Sequence, residues 1–353
     1  MSLTYVFEEN YFDLNESVPL ILNPKTLSCD LESLKLPTAV IMSVLLIAIF
    51  LLAIPGNLLV VWVIGTSRQA LTPSDVYLFH LTIADGLMAL TLPFSAASLT
   101  WGWIFGDFLC KFLSLIIEAN FYTSIIFLAC ISIDRYLMIV HASETFRTRQ
   151  KMCSRFLCTA VWVLGGGLAL PALFNDAIKI DSDLGQVIIC SETFDIGNPT
   201  GWRLAIRGFR HIFGFLVPLV VMVACYSITV ARLLQTRGFQ KHRAMRLIIA
   251  VLIAFLLCWT PYHLTIMIDT LMRAKLIQFD CAMRSRVTKS IVLTNSLALL
   301  HSCINPFLYA FVGKKFRNKM VLLFQRKRRQ ERISGSKFSR STSQTSEGSR
   351  TVF

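Results

Sequence analysis

The chain has 353 residues, of which 54% are hydrophobic and only 16% are charged, and its formal net charge is +14. Soluble domains carry about one quarter charged residues, so this composition excludes a soluble enzyme, a soluble nucleic-acid-binding domain and a disordered chain. The apolar residues lie in long runs, and runs above about 18 residues are typical of membrane helices. On a membrane protein, the positive charge indicates topology and not a nucleic-acid partner.

Seven membrane spans are predicted, near 38–64, 77–99, 108–140, 156–174, 208–233, 245–269 and 288–312. Gly165-Gly166-Gly167 weakens the fourth as a helix, and Asn305 and Pro306 interrupt the seventh. The sequence therefore predicts an all-α membrane protein, with a seven-transmembrane helix bundle over 38–312. It shows no catalytic constellation, so we expect no enzyme.

The distribution of Lys and Arg predicts the orientation in the membrane. The segments 141–155 and 232–246 are basic and the chain after residue 312 has a net charge of +10, which favours the cytoplasm for all three. Residues 1–37 have a net charge of −4 and are predicted to be extracellular. Asn15 begins a glycosylation sequon, which only that side could use. The segment 270–290 departs from this trend, with five basic residues and one acid on the extracellular side.

Ionisable side chains inside a membrane are candidates for a functional site. Asp85 lies in the second span, and Asn120 and Ser124 are four residues apart on one face of the third. With Ser302 and Asn305 they form an oxygen-rich set that could bind a sodium ion, since hard cations prefer oxygen ligands. A hydrogen-bonded polar network without an ion explains the same residues.

Three motifs indicate a conformational switch. Asp134-Arg135-Tyr136 ends the third span, where an Arg could exchange partners as helices move; the alternative is an interfacial ion pair. Cys258-Trp259-Thr260-Pro261 and Asn305-Pro306-Phe307-Leu308-Tyr309 place a proline in the sixth and seventh spans. Proline kinks a helix, and a Trp beside the kink could couple core packing to movement, although each motif alone could be ordinary packing.

Together these motifs resemble the rhodopsin-like (class A) G-protein-coupled receptors. One signature residue falls in each span: Asn57, Asp85, Arg135, Trp162, Pro218, Pro261 and Pro306. The resemblance covers about 38–325 and implies a plasma-membrane receptor coupled to a heterotrimeric G protein. It assigns the switch to Asp134, Arg135, Tyr136, Tyr226, Trp259, Pro261, Asn305, Pro306 and Tyr309.

Longer strings are similar to the chemokine receptors. They include Thr91-Leu92-Pro93, Trp101-Gly102-Trp103-Ile104-Phe105-Gly106, Gln240-Lys241-His242-Arg243-Ala244-Met245-Arg246 and Leu300-His301-Ser302-Cys303-Ile304-Asn305-Pro306. The similarity is greatest to the CXC receptors of types 1 and 2, the interleukin-8 receptor group, without separating the two types. It implies chemokine ligands with a Glu-Leu-Arg motif, coupling to an inhibitory (Gi) protein and neutrophil chemotaxis.

Four cysteines are predicted to be extracellular, where the compartment is oxidising. Sequence alone permits three connectivities. The resemblance implies the pairs Cys110–Cys190 and Cys29–Cys281.

The acidic amino-terminal segment is the electrostatic partner expected for a basic chemokine. Its candidate contacts are Tyr5, Glu8, Glu9, Tyr11 and Asp13. The acidic surroundings make both tyrosines candidates for sulfation; the alternative is unmodified tyrosines that make apolar contacts.

A Glu-Leu-Arg ligand would bring both charges to the mouth of the bundle. Arg203, Arg207 and Arg210 could meet its Glu, and Asp195 and Asp269 its Arg. The alternative is a rim of charges paired with one another. Asn295 stands where chemokine receptors often carry a Glu, so an acidic anchor is missing unless Glu118 or Asp269 replaces it.

The carboxyl-terminal region is predicted in two parts. Residues 313–325 form a short amphipathic eighth helix on the membrane lipid, and 326–353 form a disordered tail rich in Ser and Thr. Phosphates would make this basic tail acidic, which suits a receptor kinase and arrestin. The candidate acceptors are Ser339, Ser341, Thr342, Ser343, Thr345 and Ser346. Thr351-Val352-Phe353 suits a PDZ groove, although three residues are a short motif.

Other functions fit parts of this pattern. A chemokine scavenger with weak G-protein signalling, or another peptide receptor of the same class, would share the fold. A channel or transporter is disfavoured, because no internal repeat relates the two halves.

Overall fold

A computed structural model describes residues 36–66, 71–140, 144–182, 185–193, 199–234, 239–278, 280–311, 317–322 and 325. Within these residues the chain is mostly helical, and one two-stranded sheet lies in the middle of the chain. The helices are α1 Leu36–Gly65, α2 Pro73–Ala89, α3 Leu92–Trp101, α4 Gly106–Val140, α5 Glu144–Ala169, α6 Pro199–His211, α7 Val217–Leu234, α8 Phe239–Arg273, α9 Cys281–Leu299 and α10 His301–Phe311.

Seven stretches are long and apolar enough to cross a membrane, which confirms the predicted fold. They are Leu36–Gly65, Pro73–Trp101, Gly106–Ile139, Cys153–Phe174, Gly201–Arg232, Ile249–Arg273 and Cys281–Tyr309, and we call them the first to seventh spans. Residues 317–322 are also helical, which supports part of the predicted eighth helix.

The second span consists of two helices, α2 and α3, which meet at Thr91-Leu92-Pro93. The Thr91 hydroxyl donates a hydrogen bond to the Met88 carbonyl at 2.7 Å and so satisfies one of the last carbonyls of α2. Pro93 has no N–H and falls in the first turn of α3, where a helix does not need one. The motif therefore ends one helix and starts the next.

The three glycines that are predicted to weaken the fourth span as a helix do not interrupt it. Helix α5 continues through Gly165 and passes into a 3-10 turn at Leu170–Phe174. A Cβ on Gly165 would lie 2.4 Å from Cγ2 of Thr123 in α4. The missing side chain therefore lets the third and fourth spans approach closely, as small residues do in membrane bundles.

The seventh span is interrupted at Leu300, between α9 and α10, and not at Asn305 and Pro306 as predicted. At the break, the Leu300 amide bonds the Leu297 carbonyl, a tighter turn than in an α-helix. Pro306 lies inside α10 and cannot donate to the Ser302 carbonyl, four residues earlier. The side-chain amide of Asn57 in the first span donates to that carbonyl at 2.9 Å, so the proline leaves no orphan acceptor.

An antiparallel β-hairpin connects the fourth and fifth spans, a feature absent from the all-α prediction. Strands β1 Asn175–Ser182 and β2 Gly185–Glu192 pair in register, with Ala177 opposite Cys190. A disulfide joins Cys190 to Cys110 at the start of α4. The Trp103 amide also donates to the Ile188 carbonyl at 2.6 Å. We call this side of the bundle the hairpin end, and the side that contains Asp134 the opposite end.

Candidate functional site

A cluster of ion pairs lies at the hairpin end, between the fifth and sixth spans. Oδ2 of Asp269 is 2.6 Å from Nη1 of Arg207 and 2.8 Å from Nε of Arg273. Oε2 of Glu192, the last residue of the hairpin, is 3.7 Å from both Arg203 Nε and Arg207 Nη2. We call these five residues the rim cluster. The three arginines also line a shallow pocket with Thr270.

The rim cluster brings together three of the predicted ligand-binding residues, Arg203, Arg207 and Asp269. They are paired with one another and with Glu192, as in the alternative of a self-paired rim. Asn295 is partly buried in α9. The structure thus offers a ligand both charges, already in contact.

Arg210, the third arginine predicted to meet the ligand, does not belong to the rim cluster. It lies about one helical turn beyond Arg207, further from the hairpin end. Its Nη2 is 2.9 Å from Oε2 of Glu118 in the third span. Glu118 is a predicted replacement for the acid missing at Asn295 in the seventh span, and the structure pairs it with Arg210. A ligand acid could reach Arg210 only by competing with this carboxylate.

Asp85 is the centre of a buried polar network in the middle of the bundle. Its side chain is fully buried. Asn305 donates from Nδ2 to its Oδ2 at 2.7 Å, and Ser124 donates to its Oδ1 at 3.2 Å. The Asn120 amide lies 3.4 Å from the same Oδ1 and 3.2 Å from the Ser124 hydroxyl. Four of the five predicted sodium ligands are therefore in contact.

The fifth predicted ligand, Ser302, uses its hydroxyl elsewhere and donates to the Leu299 carbonyl at 2.9 Å. A residue that was not predicted, His301, takes a place in the network instead. Its Nε2 is 3.5 Å from Oδ1 of Asp85 and has no hydrogen-bond partner. His301 and Asn305 are four apart on one helix face, a spacing that could have identified the histidine.

The residues of this network also fit a cation. Oδ1 of Asn120 is buried and has no hydrogen-bond partner, so an oxygen beside the Asp85 carboxylate remains to be satisfied. Asp85 and Ser124 supply further oxygen atoms of the kind that sodium prefers.

Trp259 of the predicted switch lies in an aromatic cluster above this network. It is 1% exposed, and its ring centroid is 4.7 Å from that of Phe121 and 5.4 Å from that of His301. Pro261 lies inside the unbroken helix α8, two residues further along. The tryptophan thus joins the sixth span to the third and the seventh.

At the opposite end, Asp134 and Tyr226 of the predicted switch bond to neighbouring spans. The buried carboxylate of Asp134 accepts a hydrogen bond from the Ser74 hydroxyl in the second span. Ser132 donates to the Tyr226 hydroxyl of the fifth span at 2.9 Å. Arg135 Nε and the Tyr309 hydroxyl are buried without hydrogen-bond partners. Tyr136 is partly buried on the same helix.

The predicted disulfide between Cys110 and Cys190 is present. Cys281 is also disulfide-bonded, and its predicted partner Cys29 lies outside the described residues. The same holds for the remaining sites: Tyr5, Glu8, Glu9, Tyr11, Asp13, Asn15, Asp195, Ser339, Ser341, Thr342, Ser343, Thr345, Ser346 and Thr351–Phe353.

The sequence matches the family described as 7 transmembrane receptor (rhodopsin family) over residues 56–309. It is 46% identical over 294 residues to C-X-C chemokine receptor type 2 of Homo sapiens, covering 83% of this chain and 80% of that receptor. It is 48% identical over 272 residues to C-X-C chemokine receptor type 1 of Homo sapiens, covering 76% of each. To C-X-C chemokine receptor type 2 of Mus musculus it is 43% identical over 312 residues, 88% of this chain and 85% of that receptor.

Proposed function

The chain belongs to the C-X-C chemokine receptors within the rhodopsin family of seven-transmembrane receptors, and we propose that its ligands are CXC chemokines that carry a Glu-Leu-Arg motif. It is a G-protein-coupled receptor of the plasma membrane, and its family is one of receptors and not of enzymes. The observation that carries the proposed ligand class is the rim cluster. There, Arg207 and Asp269 present both charges at one place. A ligand acid and a ligand arginine can each take over one half of such a pair.

We propose that the hairpin end is extracellular. The disulfide Cys110–Cys190 lies there, and disulfides persist in an oxidising compartment. The basic segments 141–155 and 232–246 would then face the cytoplasm, in agreement with the positive-inside rule.

In this orientation the acidic segment 1–37 and the rim cluster are both on the extracellular side. Its net charge of −4 attracts a basic chemokine and raises the association rate. We propose that Tyr5 and Tyr11 contact the ligand, with or without sulfation, and that Asn15 carries a glycan.

On the cytoplasmic side, the proposed partner is a Gi protein. Agonist binding favours an arrangement in which the sixth span moves away from the third and Arg135 becomes available to the G protein, a shift between two populations. The resulting process is chemotaxis of leukocytes.

We propose sodium as an allosteric ligand of the Asp85 network. Asp85, Ser124 and Asn120 would hold it through oxygen atoms, with Asn305 beside them. The ion would supply a positive charge next to a carboxylate that is fully buried.

The tail is proposed to receive phosphates from a receptor kinase and then to bind arrestin. The terminus Thr351–Phe353 is a proposed PDZ ligand. Amidation of Phe353 in a tail peptide should abolish binding to PDZ domains, and unchanged binding would exclude this partner.

A panel of chemokines with and without the Glu-Leu-Arg motif tests the main proposal in cells that express this chain. We expect Gi activation by the first group and little by the second. Binding without activation would instead indicate a scavenger, and activation by an unrelated peptide alone would indicate a different receptor of the class.

A further inference from the structure

The ion pair between Glu118 and Arg210 is largely removed from water, as is the Arg207–Asp269 pair of the rim cluster. The Glu118 and Arg210 side chains are 18% and 15% exposed, whereas Asp107 and Lys111, a pair on the third span, are 54% and 32% exposed. Charges removed from water to this extent depend on one another, because either alone is costly to bury.

The guanidinium of Arg210 also contacts two aromatic rings. Its Cζ lies 4.8 Å from the ring centre of Phe121 and 5.3 Å from that of Tyr262, distances at which a cation is attracted to a ring face. Nη1 donates to the Tyr262 hydroxyl at 3.2 Å. Since Glu118 and Phe121 belong to the third span and Tyr262 to the sixth, one side chain of the fifth span joins all three.

These contacts continue into the switch. Phe121 packs against Trp259, and Trp259 lies beside His301, which is 3.5 Å from Asp85. Arg210 is therefore linked to Trp259 through the single side chain of Phe121. Trp259 in turn contacts His301, which belongs to the Asp85 network.

We propose that the Glu118–Arg210 pair is a latch that stabilises the non-signalling arrangement and opens in the response to agonist. The latch requires the third, fifth and sixth spans to lie close together. Movement of the sixth span would remove Tyr262 from the guanidinium, so the contacts favour the closed arrangement and bias the equilibrium between the two. A charged group of the ligand that pairs with Arg210 or Glu118 would compete for the latch. The inference rests on the proposed G-protein signalling.

The double variant Glu118→Gln/Arg210→Gln tests this latch without leaving an orphan charge, since replacing both partners of a buried pair is tolerated better than removing one. The measurement is nucleotide exchange on Gi in cell membranes without ligand, per receptor at the cell surface. We expect a rise of about fivefold, the lower end of typical allosteric coupling. The control, Asp107→Asn/Lys111→Gln, removes a more exposed pair of the third span, together with the contact of Lys111 to Asp176 in the hairpin, and should leave basal exchange unchanged.

Basal exchange at or below that of the unmodified receptor in the double variant would overturn the proposal. Arg210→Lys keeps the charge and loses the planar donor fork, so it should raise basal exchange by a smaller factor. It replaces the double variant if that protein does not reach the surface, and no rise then overturns the proposal. A chemokine added to the unmodified receptor separates the two ideas. A normal response with no basal rise in the variants refutes the latch alone, and no response to any chemokine refutes the proposed function.

Discussion

Arg207 and Asp269 form a 2.6 Å ion pair that joins the fifth span to the sixth at the hairpin end. The Asp269 side chain is 5% exposed, and the same oxygen also binds Arg273. One carboxylate thus orients two arginines that a ligand would meet. Its removal should affect ligand binding more than removal of a neighbour without such contacts.

We expect Asp269→Asn to weaken agonist potency more than Asn295→Ala. Loss of the carboxylate removes the acid that Arg207 and Arg273 share and leaves Arg207, among the described residues, only Glu192, at 3.7 Å, as a counter-charge. Truncating one partner of such a pair reduces affinity substantially. A shift of about tenfold or more in the dose–response curve, roughly 1.4 kcal/mol, is expected for Asp269→Asn at equal surface expression. Equal or reversed losses for the two variants would exclude Asp269 as the acidic anchor.

Gly165→Ala should destabilise the bundle, whereas Gly166→Ala should not. A Cβ at Gly165 would lie 2.4 Å from Cγ2 of Thr123, and one at Gly166 has nothing within 4 Å. Overpacking costs about 1–3 kcal/mol, while Ala in an open helical position gains about 1 kcal/mol over Gly. The midpoints of thermal unfolding in detergent should therefore move in opposite directions. Equal midpoints would mean that the third and fourth spans separate at no cost.

Asp85→Asn should abolish the effect of sodium on agonist binding. If sodium binds more tightly to the non-signalling arrangement and the agonist to the signalling one, sodium weakens agonist binding. The agonist then weakens sodium binding by the same factor. Agonist affinity in sodium chloride and in choline chloride of equal ionic strength measures this effect. An undiminished sodium effect in the variant would place the ion elsewhere.

Asn57→Ala should be less harmful when Pro306 is also replaced by alanine. The single variant leaves the Ser302 carbonyl, which Asn57 satisfies at 2.9 Å, without that donor. A buried acceptor of this kind costs about 1–3 kcal/mol. The Pro306→Ala change would restore a backbone N–H four residues after that carbonyl, so the double variant should unfold at a higher temperature than the sum of the single changes predicts. Strict additivity would show that the carbonyl finds another donor.

The seven spans could be predicted because apolar runs of about 18 residues or more indicate membrane-spanning helices. The roles of Gly165 and Pro306 within these spans could not. Gly165 was expected to weaken a helix by its conformational freedom, yet its missing Cβ serves a contact with Thr123, a residue 42 positions away. Pro306 marked the seventh span as broken, yet a side chain of the first span compensates for it. Both outcomes depend on which helices are neighbours.

The candidate site could be predicted only in part, because its contacts also depend on which helices are neighbours. Asp85, Asn120 and Ser124 were recognised as a set from their polarity inside a membrane, and the structure brings them into contact. The partner of Arg210 was not recognised, because nothing local relates it to Glu118. The β-hairpin was missed although Ile178 and Ile180 alternate with polar residues, the pattern of a half-buried strand.

The third span is the most enclosed of the seven, with 67% of an apolar 18-residue stretch buried, against 28% for the first. Four functional residues lie along it. Glu118 pairs with Arg210, Asn120 and Ser124 contact Asp85, and Asp134 bonds to Ser74. From Glu118 to Asp134 the helix rises roughly 24 Å. These distant sites thus belong to one continuous helix, and a small tilt of that helix would change the contacts of all of them together.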